Sequence, residues 1–201
     1  MANKNVIIVG CPRGATGYAS KFFTHNGVDM GHESFGVNGI SSWCIVPGGN
    51  HSLWGPSFNE VIAKYGKDTP IFHQTNHPIE TISSLMTITK HSMDYAARFT
   101  NISESNTKLK NCMLFWLEWN TLAEKLTAKR YKVSDIAKQW DGLDKVYPDT
   151  KYNDRPCRQY TEKELLYEDT VLWLNIIKKA REYGWDVGKK TDKIFKDVDN
   201  L

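Results

Sequence analysis

The residues whose types and spacing could do chemistry stand near the start of the chain. Gly10-Cys11-Pro12-Arg13-Gly14-Ala15-Thr16-Gly17-Tyr18 follows the β-branched run Val6–Val9, and Tyr18, Phe22 and Phe23 then recur at helical spacing. A buried strand that feeds a glycine-rich bend into a helix start turns successive backbone N–H groups outward, and the helix dipole adds favourable potential for an anion. Arg13 adds a cation to that bend and Thr16 a hydroxyl. The usual nucleotide-binding bend is GxxxxGK[ST]. Here Ala15-Thr16-Gly17 replaces Gly-Lys-Ser/Thr, so the lysine that reaches a terminal phosphate and the hydroxyl that holds magnesium are both absent. GxGxxG does not fit either, which argues against a dinucleotide site.

What remains suits a phosphate that carries a less charged transferable group. A sulfuryl group bears one formal negative charge where a terminal phosphoryl bears two. Arginine, backbone amides and hydroxyls can move it without a divalent metal. A second candidate group is His32-Glu33, at the end of Val28-Asp29-Met30-Gly31-His32-Glu33. Either side chain can serve as a general base, the imidazole because its pKa lies near neutrality.

These residues need elements to position them. Val6–Val9 reads as a strand buried on both faces, and Asn26-Gly27 as the stop of the first helix. Val28–Glu33 reads as the return strand. Residues 34–69 are rich in Gly, Ser, Asn and Trp with little periodicity. They predict a long irregular acceptor-side segment with one short helix near Phe58–Tyr65. Pro70–Gln74 predicts a second central strand and Pro78 the first turn of a helix striped with Ile79, Ile82, Met86, Met93 and Ala96. A further helix is predicted over 113–128, a short strand at Tyr131-Lys132-Val133 and a loop over 141–160. Thr161 and Glu164 form a capping box that starts a helix to Tyr183, with Gly184 past its end. The alternation predicts a single α/β domain over 1–201 with a lysine-rich tail at 188–201. Its architecture is a three-layer sandwich around a parallel sheet, with its active crevice at the strand ends.

Composition narrows the function classes. A net charge of +3 is too small to bind nucleic acid by bulk charge. No apolar run approaches the roughly 18 residues of a membrane span, and the start of the chain does not read as a signal peptide. Cys11, Cys44, Cys112 and Cys157 are scattered without a CxxC pair, so neither a metal site nor a disulfide framework is expected. They read as reduced thiols of a cytoplasmic protein, with Cys11 a space-filler. Trp43 and Trp54 either line an acceptor cleft or pack beneath the long segment, while Trp116, Trp119 and Trp173 read as core.

Three stretches together resemble the sulfotransferase superfamily, whose donor is 3′-phosphoadenosine 5′-phosphosulfate (PAPS). The first family motif is roughly G-x-P-[RK]-S-G-T-T-[YWL]. Gly10, Pro12, Arg13 and Thr16 match it, while Gly14, Ala15 and Gly17 depart from Ser, Gly and Thr. The second is R-x-P-x-[DE]-x-x-x-S, whose Arg and Ser hold the 3′-phosphate. Pro78, Glu80 and Ser84 fall in place, but Asn76 stands where the arginine belongs. Arg155 and Arg158 resemble the basic late loop that closes over the donor. The third feature is Glu33, which follows Arg13 by 20 residues, as the base does in the tyrosyl-protein sulfotransferases. The run Gly31-His32-Glu33…Gly39-Ile40-Ser41-Ser42-Trp43 is also similar to small bacterial sulfotransferase-like sequences.

The resemblance implies a P-loop NTPase-like sulfotransferase fold. It also implies metal-free transfer of a sulfuryl group from PAPS to a hydroxyl or amine of a small-molecule or carbohydrate acceptor. Catalysis would fall to Glu33, Arg13 and His32. Donor binding would fall to Pro12, Arg13, Gly14, Ala15, Thr16, Gly17, Tyr18, Asn76, Ser84, Arg155 and Arg158. Because of the departures, two other readings stay open: a nucleotide-binding or adaptor protein without chemistry, and a small-molecule kinase with an atypical loop.

Overall fold

The computed structural model describes residues 5–140 and 156–189. Its centre is the strand β1, Val6–Gly10, buried along its whole length. Val6 and Ile8 face one side of the sheet and meet Ala19, Phe22, Phe23, Met30, Tyr131 and Ile136. Ile7 and Val9 face the other side and meet Ile40, Ile45, Val61, Tyr65 and Ala123. That two-sided burial is why the run is continuously apolar rather than alternating. Full burial of each such side chain contributes about 1.5–3 kcal/mol.

Helix α1, Thr16–His25, covers the first face with Ala19, Phe22 and Phe23. It stops where expected. Asn26 is its C-cap, Gly27 follows with φ 78, and the Val28 N–H turns back to the Phe23 carbonyl. Strand β2, Met30–His32, comes next, then β3, Gly39–Ser42. Helix α2, Phe58–Tyr65, lies where the sequence places it and is held by a Ser57/Glu60 capping box. Strand β4, Ile71–Thr75, and β5, Arg130–Lys132, complete a five-stranded sheet in the order β2-β3-β1-β4-β5. Every pairing is parallel. With helices on both faces, the chain has the three-layer α/β architecture read from the alternation of elements.

The segment 34–69 is not simply irregular. It supplies β3, which pairs with β1 on one side and β2 on the other. Gly-Ile-Ser-Ser carries no apolar pattern, yet Ser41 and Ser42 are wholly buried. Gly39 is needed there because a β-carbon would lie 2.1 Å from the Val6 carbonyl oxygen. β3 therefore follows β1 by close backbone approach and buried hydroxyls rather than by apolar side chains.

Two predicted long helices are each broken. Pro78 starts α3, Pro78–Leu85, which ends before α4, Lys90–Ala96. In the break the Thr87 hydroxyl donates to the Ser84 carbonyl at 2.8 Å, and the Met86 N–H turns to Ser83. Local bonds of this kind compete with the helix ladder. The helix predicted over 113–128 is α5, Lys108–Glu124. After β5 come a single 3₁₀ turn, Val133–Asp135, and the short α6, Ile136–Gln139.

Thr161 and Glu164 do form the capping box of α7, Glu162–Glu168. The chain then becomes extended at Asp169, φ −159 and ψ 103, and restarts as α8, Thr170–Glu182. An Asp169 carboxylate oxygen accepts the Leu172 N–H at 2.9 Å, and the other meets Lys110 Nζ at 2.9 Å. Trp116, Trp119 and Trp173 are fully buried.

The described residues group into two compact units. One runs to Asn76 and resumes at Trp119, and holds the whole sheet. The other comprises His77–Glu118 and the chain from Pro156, and is helical. The four cysteines are free. No described helix is long and apolar enough to cross a membrane. Of the predicted tail, residues 190–201 lie outside the described residues.

The cap at Asp169 gives a direct check. Asp169→Ala should lower stability by about 1 kcal/mol, the usual cost of a lost N-cap, as read from urea unfolding.

Candidate functional site

The bend after β1 is built by its backbone. Arg13 and Ala15 both adopt left-handed φ, 62 and 68, on either side of Gly14. Alternation of this kind makes a concave nest of N–H groups. Ala15 is the N-cap of α1, and no described side chain caps that helix. The Gly14 N–H closes a tight turn onto the Cys11 carbonyl at 2.9 Å. A β-carbon at Gly14 would lie 2.6 Å from that carbonyl oxygen, so the bend admits no side chain there. Gly10 is equally constrained, since its β-carbon would meet the Gln74 carbonyl oxygen at 2.7 Å. Pro12, Gly14, Thr16 and Gly17 are buried, and Arg13 and Ala15 half-buried. Tyr18 is half-buried and packs against the core under α1.

The neighbouring strands pin this bend through polar side chains. Gln74 pairs with Gly10 across β1 and β4 and with Tyr131 across β4 and β5. Its amide Nε2 donates to the Gly14 carbonyl at 2.9 Å, and its Oε1 accepts from the Tyr131 hydroxyl at 2.7 Å. Ser41 on β3 donates to the Thr16 carbonyl at 2.8 Å. Neither Gln74, Tyr131 nor Ser41 carries a hydropathy signal for such a role. Their sequence mark is a polar residue within an otherwise buried strand.

Thr16 leads to the second group. Its Oγ1 lies 3.4 Å from His32 Nε2, and that nitrogen lies 3.5 Å from Glu33 Oε1. Glu33 is the third non-glycine residue with left-handed φ, 56. Its N–H donates to the Ser41 carbonyl at 3.1 Å, and Gly55 packs against its own carbonyl so closely that a β-carbon would sit 2.8 Å away. Burial pushes the His32 pKa below its ordinary value and that of Glu33 above it. A hydrogen bond from the Trp43 side chain opposes part of the Glu33 shift. At neutral pH the arrangement is a neutral imidazole beside a carboxylate of raised basicity, adjoining the bend. It can bind an anion and accept a proton next to it.

Trp43 is buried against Trp119 and is not an open wall, whereas Trp54 is half-buried and lies 6.4 Å from it, centroid to centroid. Asn76 follows directly on β4 and is half-buried. In the helical unit Ser84 is half-buried on α3, while its neighbour Ser83 is buried and accepts the Tyr160 N–H at 2.9 Å. Arg158 is held by Glu164 and lies over the Tyr160 ring at 4.9 Å. Arg155 lies outside the described residues. No protein-family model matches the chain, and no curated protein or solved structure is significantly similar to it.

Left-handed backbone costs a residue with a β-carbon on the order of 1 kcal/mol that glycine avoids. Ala15→Gly should therefore raise the urea midpoint, by a few tenths to about 1 kcal/mol once the looser unfolded chain is counted. A lowered midpoint would mean that the bend does not hold Ala15 left-handed.

Proposed function

We propose that this chain is a sulfotransferase of the P-loop-like type, moving a sulfuryl group from PAPS to a hydroxyl or amine acceptor. The observation that carries the reading is the chain of contacts from the left-handed nest through Thr16 and His32 to Glu33. On this reading an anion seat and a proton acceptor stand side by side. The donor-set chemistry fits a phosphosulfate. It offers backbone amides at an uncapped helix start, one arginine in the bend and a buried threonine, and it lacks the lysine of a triphosphate site.

In this mechanism Arg13 and the amides of residues 15–17 hold the 5′-phosphosulfate. As the acceptor oxygen bonds to sulfur, the bond from sulfur to the bridging phosphate oxygen breaks. Arg13 then offsets the negative charge that gathers on the departing phosphate. Glu33 takes the acceptor's proton in the same step. His32, neutral at pH 7, supports the carboxylate from beside Thr16. The resemblance assigns Asn76 and Ser84 to the 3′-phosphate and Arg155 and Arg158 to a late loop that closes over the donor, and Arg158 would have to leave Glu164 to take that part.

A second reading, a nucleotide-binding adaptor without chemistry, is favoured by one specific feature. Asn76 brings no charge where the resemblance calls for arginine, and charge-assisted bonds to phosphate are about twice as strong as neutral ones. Titration calorimetry with adenosine 3′,5′-bisphosphate separates the cases. Micromolar binding without magnesium, lost by roughly tenfold or more in Arg13→Ala, supports the donor site. Binding without turnover of PAPS supports the adaptor, and magnesium-dependent binding of ATP alone supports a kinase.

Glu33→Gln should lower turnover by about 10²–10⁴-fold while the bisphosphate still binds. Glu33 works only when ionised, and burial raises its pKa above the ordinary 4.5. The rate should therefore fall, on the acid side, through a midpoint above the usual carboxylate range. Near-normal turnover in the variant would exclude Glu33 as the base.

A further inference from the structure

One peptide of the bend is fixed by a side chain from another strand. The Gly14 carbonyl accepts the Gln74 amide N–H, Nε2 to oxygen 2.9 Å. The Gly14–Ala15 peptide is trans, so its own N–H points the opposite way, away from Gln74. No described group accepts that Ala15 N–H. Ala15 is the N-cap of α1, and the Thr16 and Gly17 amides that open the helix follow it directly. If this peptide turned over, the Gly14 carbonyl oxygen would stand where the N–H now stands. An anion would then meet a lone pair instead of a donor.

Gln74 is itself held in one sense. Its Oε1 accepts the Tyr131 hydroxyl at 2.7 Å, and both side chains are buried, Gln74 completely. Burial pushes the Tyr131 pKa well above its ordinary value, so the phenol keeps the proton it donates. With its oxygen engaged there, the amide presents only its N–H end to Gly14. Strand register sets this line, since Gln74 pairs with Gly10 on β1 and with Tyr131 on β5.

We propose that Gln74 is a positioning residue of the anion seat, its amide holding the Gly14 carbonyl down so that the Ala15 N–H faces the bound anion. The proposal rests on the reading of the bend as an anion seat. An uncharged side chain that donates to one neighbour and accepts from another is what the position requires, and an apolar side chain of similar length would fill the space without fixing the peptide.

The experiment titrates inorganic pyrophosphate, a probe of the seat alone, into magnesium-free protein. It is followed by calorimetry and by the Ala15 N–H signal of ¹⁵N-labelled protein. In the wild type that proton should move downfield as pyrophosphate binds. Gln74→Met removes the donor, and affinity should fall about tenfold or more. Gln74→Glu regains a donor only when its carboxyl is protonated, so its affinity relative to wild type should recover as pH falls. A change in packing alone would not give that recovery. If Gln74→Met does not fold, this pH dependence decides. Wild-type affinity in Gln74→Met overturns the proposal. So does a Gln74→Glu deficit that ignores pH, or a wild-type Ala15 signal that ignores pyrophosphate. Adenosine 3′,5′-bisphosphate is titrated alongside. Pyrophosphate binding with this Gln74 dependence, in a protein that does not bind the bisphosphate, upholds the proposal and removes the sulfotransferase reading instead.

Discussion

A strand buried on both faces cannot pass into a helix packed on one of those faces without a sharp reversal of its backbone. Here the reversal is confined to residues 11–15, and the chain achieves it by placing Arg13 and Ala15 in left-handed conformation. Each such residue costs on the order of 1–2 kcal/mol. The cost is offset by bonds that only this geometry permits: Gly14 to Cys11, Gln74 to Gly14, and Gln74 onward to Tyr131. The same reversal leaves α1 to begin at Thr16 without a side-chain cap among the described residues. The amide-lined concavity is therefore a consequence of how β1 joins α1, and the rest of the site is placed by reference to it.

Parallel pairing does the placing. Because β1, β2, β3 and β4 all run the same way, their carboxyl ends fall along one edge of the sheet. His32 lies opposite Ser41, Val9 opposite Ser42, and Gly10 opposite Gln74. The connection from β1 leaves towards β2 and that from its neighbour β4 towards β5, so the order β2-β3-β1-β4-β5 reverses direction between β1 and β4, and ligands of open α/β sheets sit at such a point. This order differs from both the dinucleotide-binding and the flavodoxin-like orders, in keeping with the lack of GxGxxG. Glu33 then departs from β2 in a left-handed conformation of its own, clamped between the Ser41 carbonyl and Gly55. Among the described residues of this unit, the strained ones that carry side chains are the three around which the functional reading is built, and strain of this kind concentrates at functional sites.

The parts of this arrangement that declare themselves in the sequence are those with a local cause. β1 is a run of β-branched residues, the bend has its glycines and proline, and Thr161/Glu164 is a capping box. What the sequence conceals has a non-local cause. β3 is specified by what a β-carbon at Gly39 would strike on β1 and by where the hydroxyls of Ser41 and Ser42 find partners, which no hydropathy pattern records. Gln74 reads as one more strand residue until Gly14 and Tyr131 are seen on either side of it. Trp43 reads as packing by default and as a cleft wall otherwise, and the choice depends on Trp119, 76 residues away. The helix breaks lie between these extremes. Asp169 is a good N-cap residue whose signal is masked by the apolar stripe running through it.

Burial acts on His32 and Glu33 in opposite directions, and that decides the electrostatics of the site. An exposed histidine and glutamate 3.5 Å apart would attract and each would favour its charged form. Here desolvation is the largest cause for both, lowering the histidine and raising the glutamate, so each moves towards neutrality. The linked effects on stability have opposite signs. As pH falls through the ordinary histidine range the unfolded chain takes up a proton that folded His32 resists, and stability is lost. As pH falls further, folded Glu33 takes its proton before the unfolded chain does, and stability is regained. The pair is thus least costly to bury when it holds no full ion pair. A site kept in that condition has a carboxylate whose affinity for a proton is already raised and a neighbouring imidazole that does not neutralise it, which is the state a general base beside a bound anion requires.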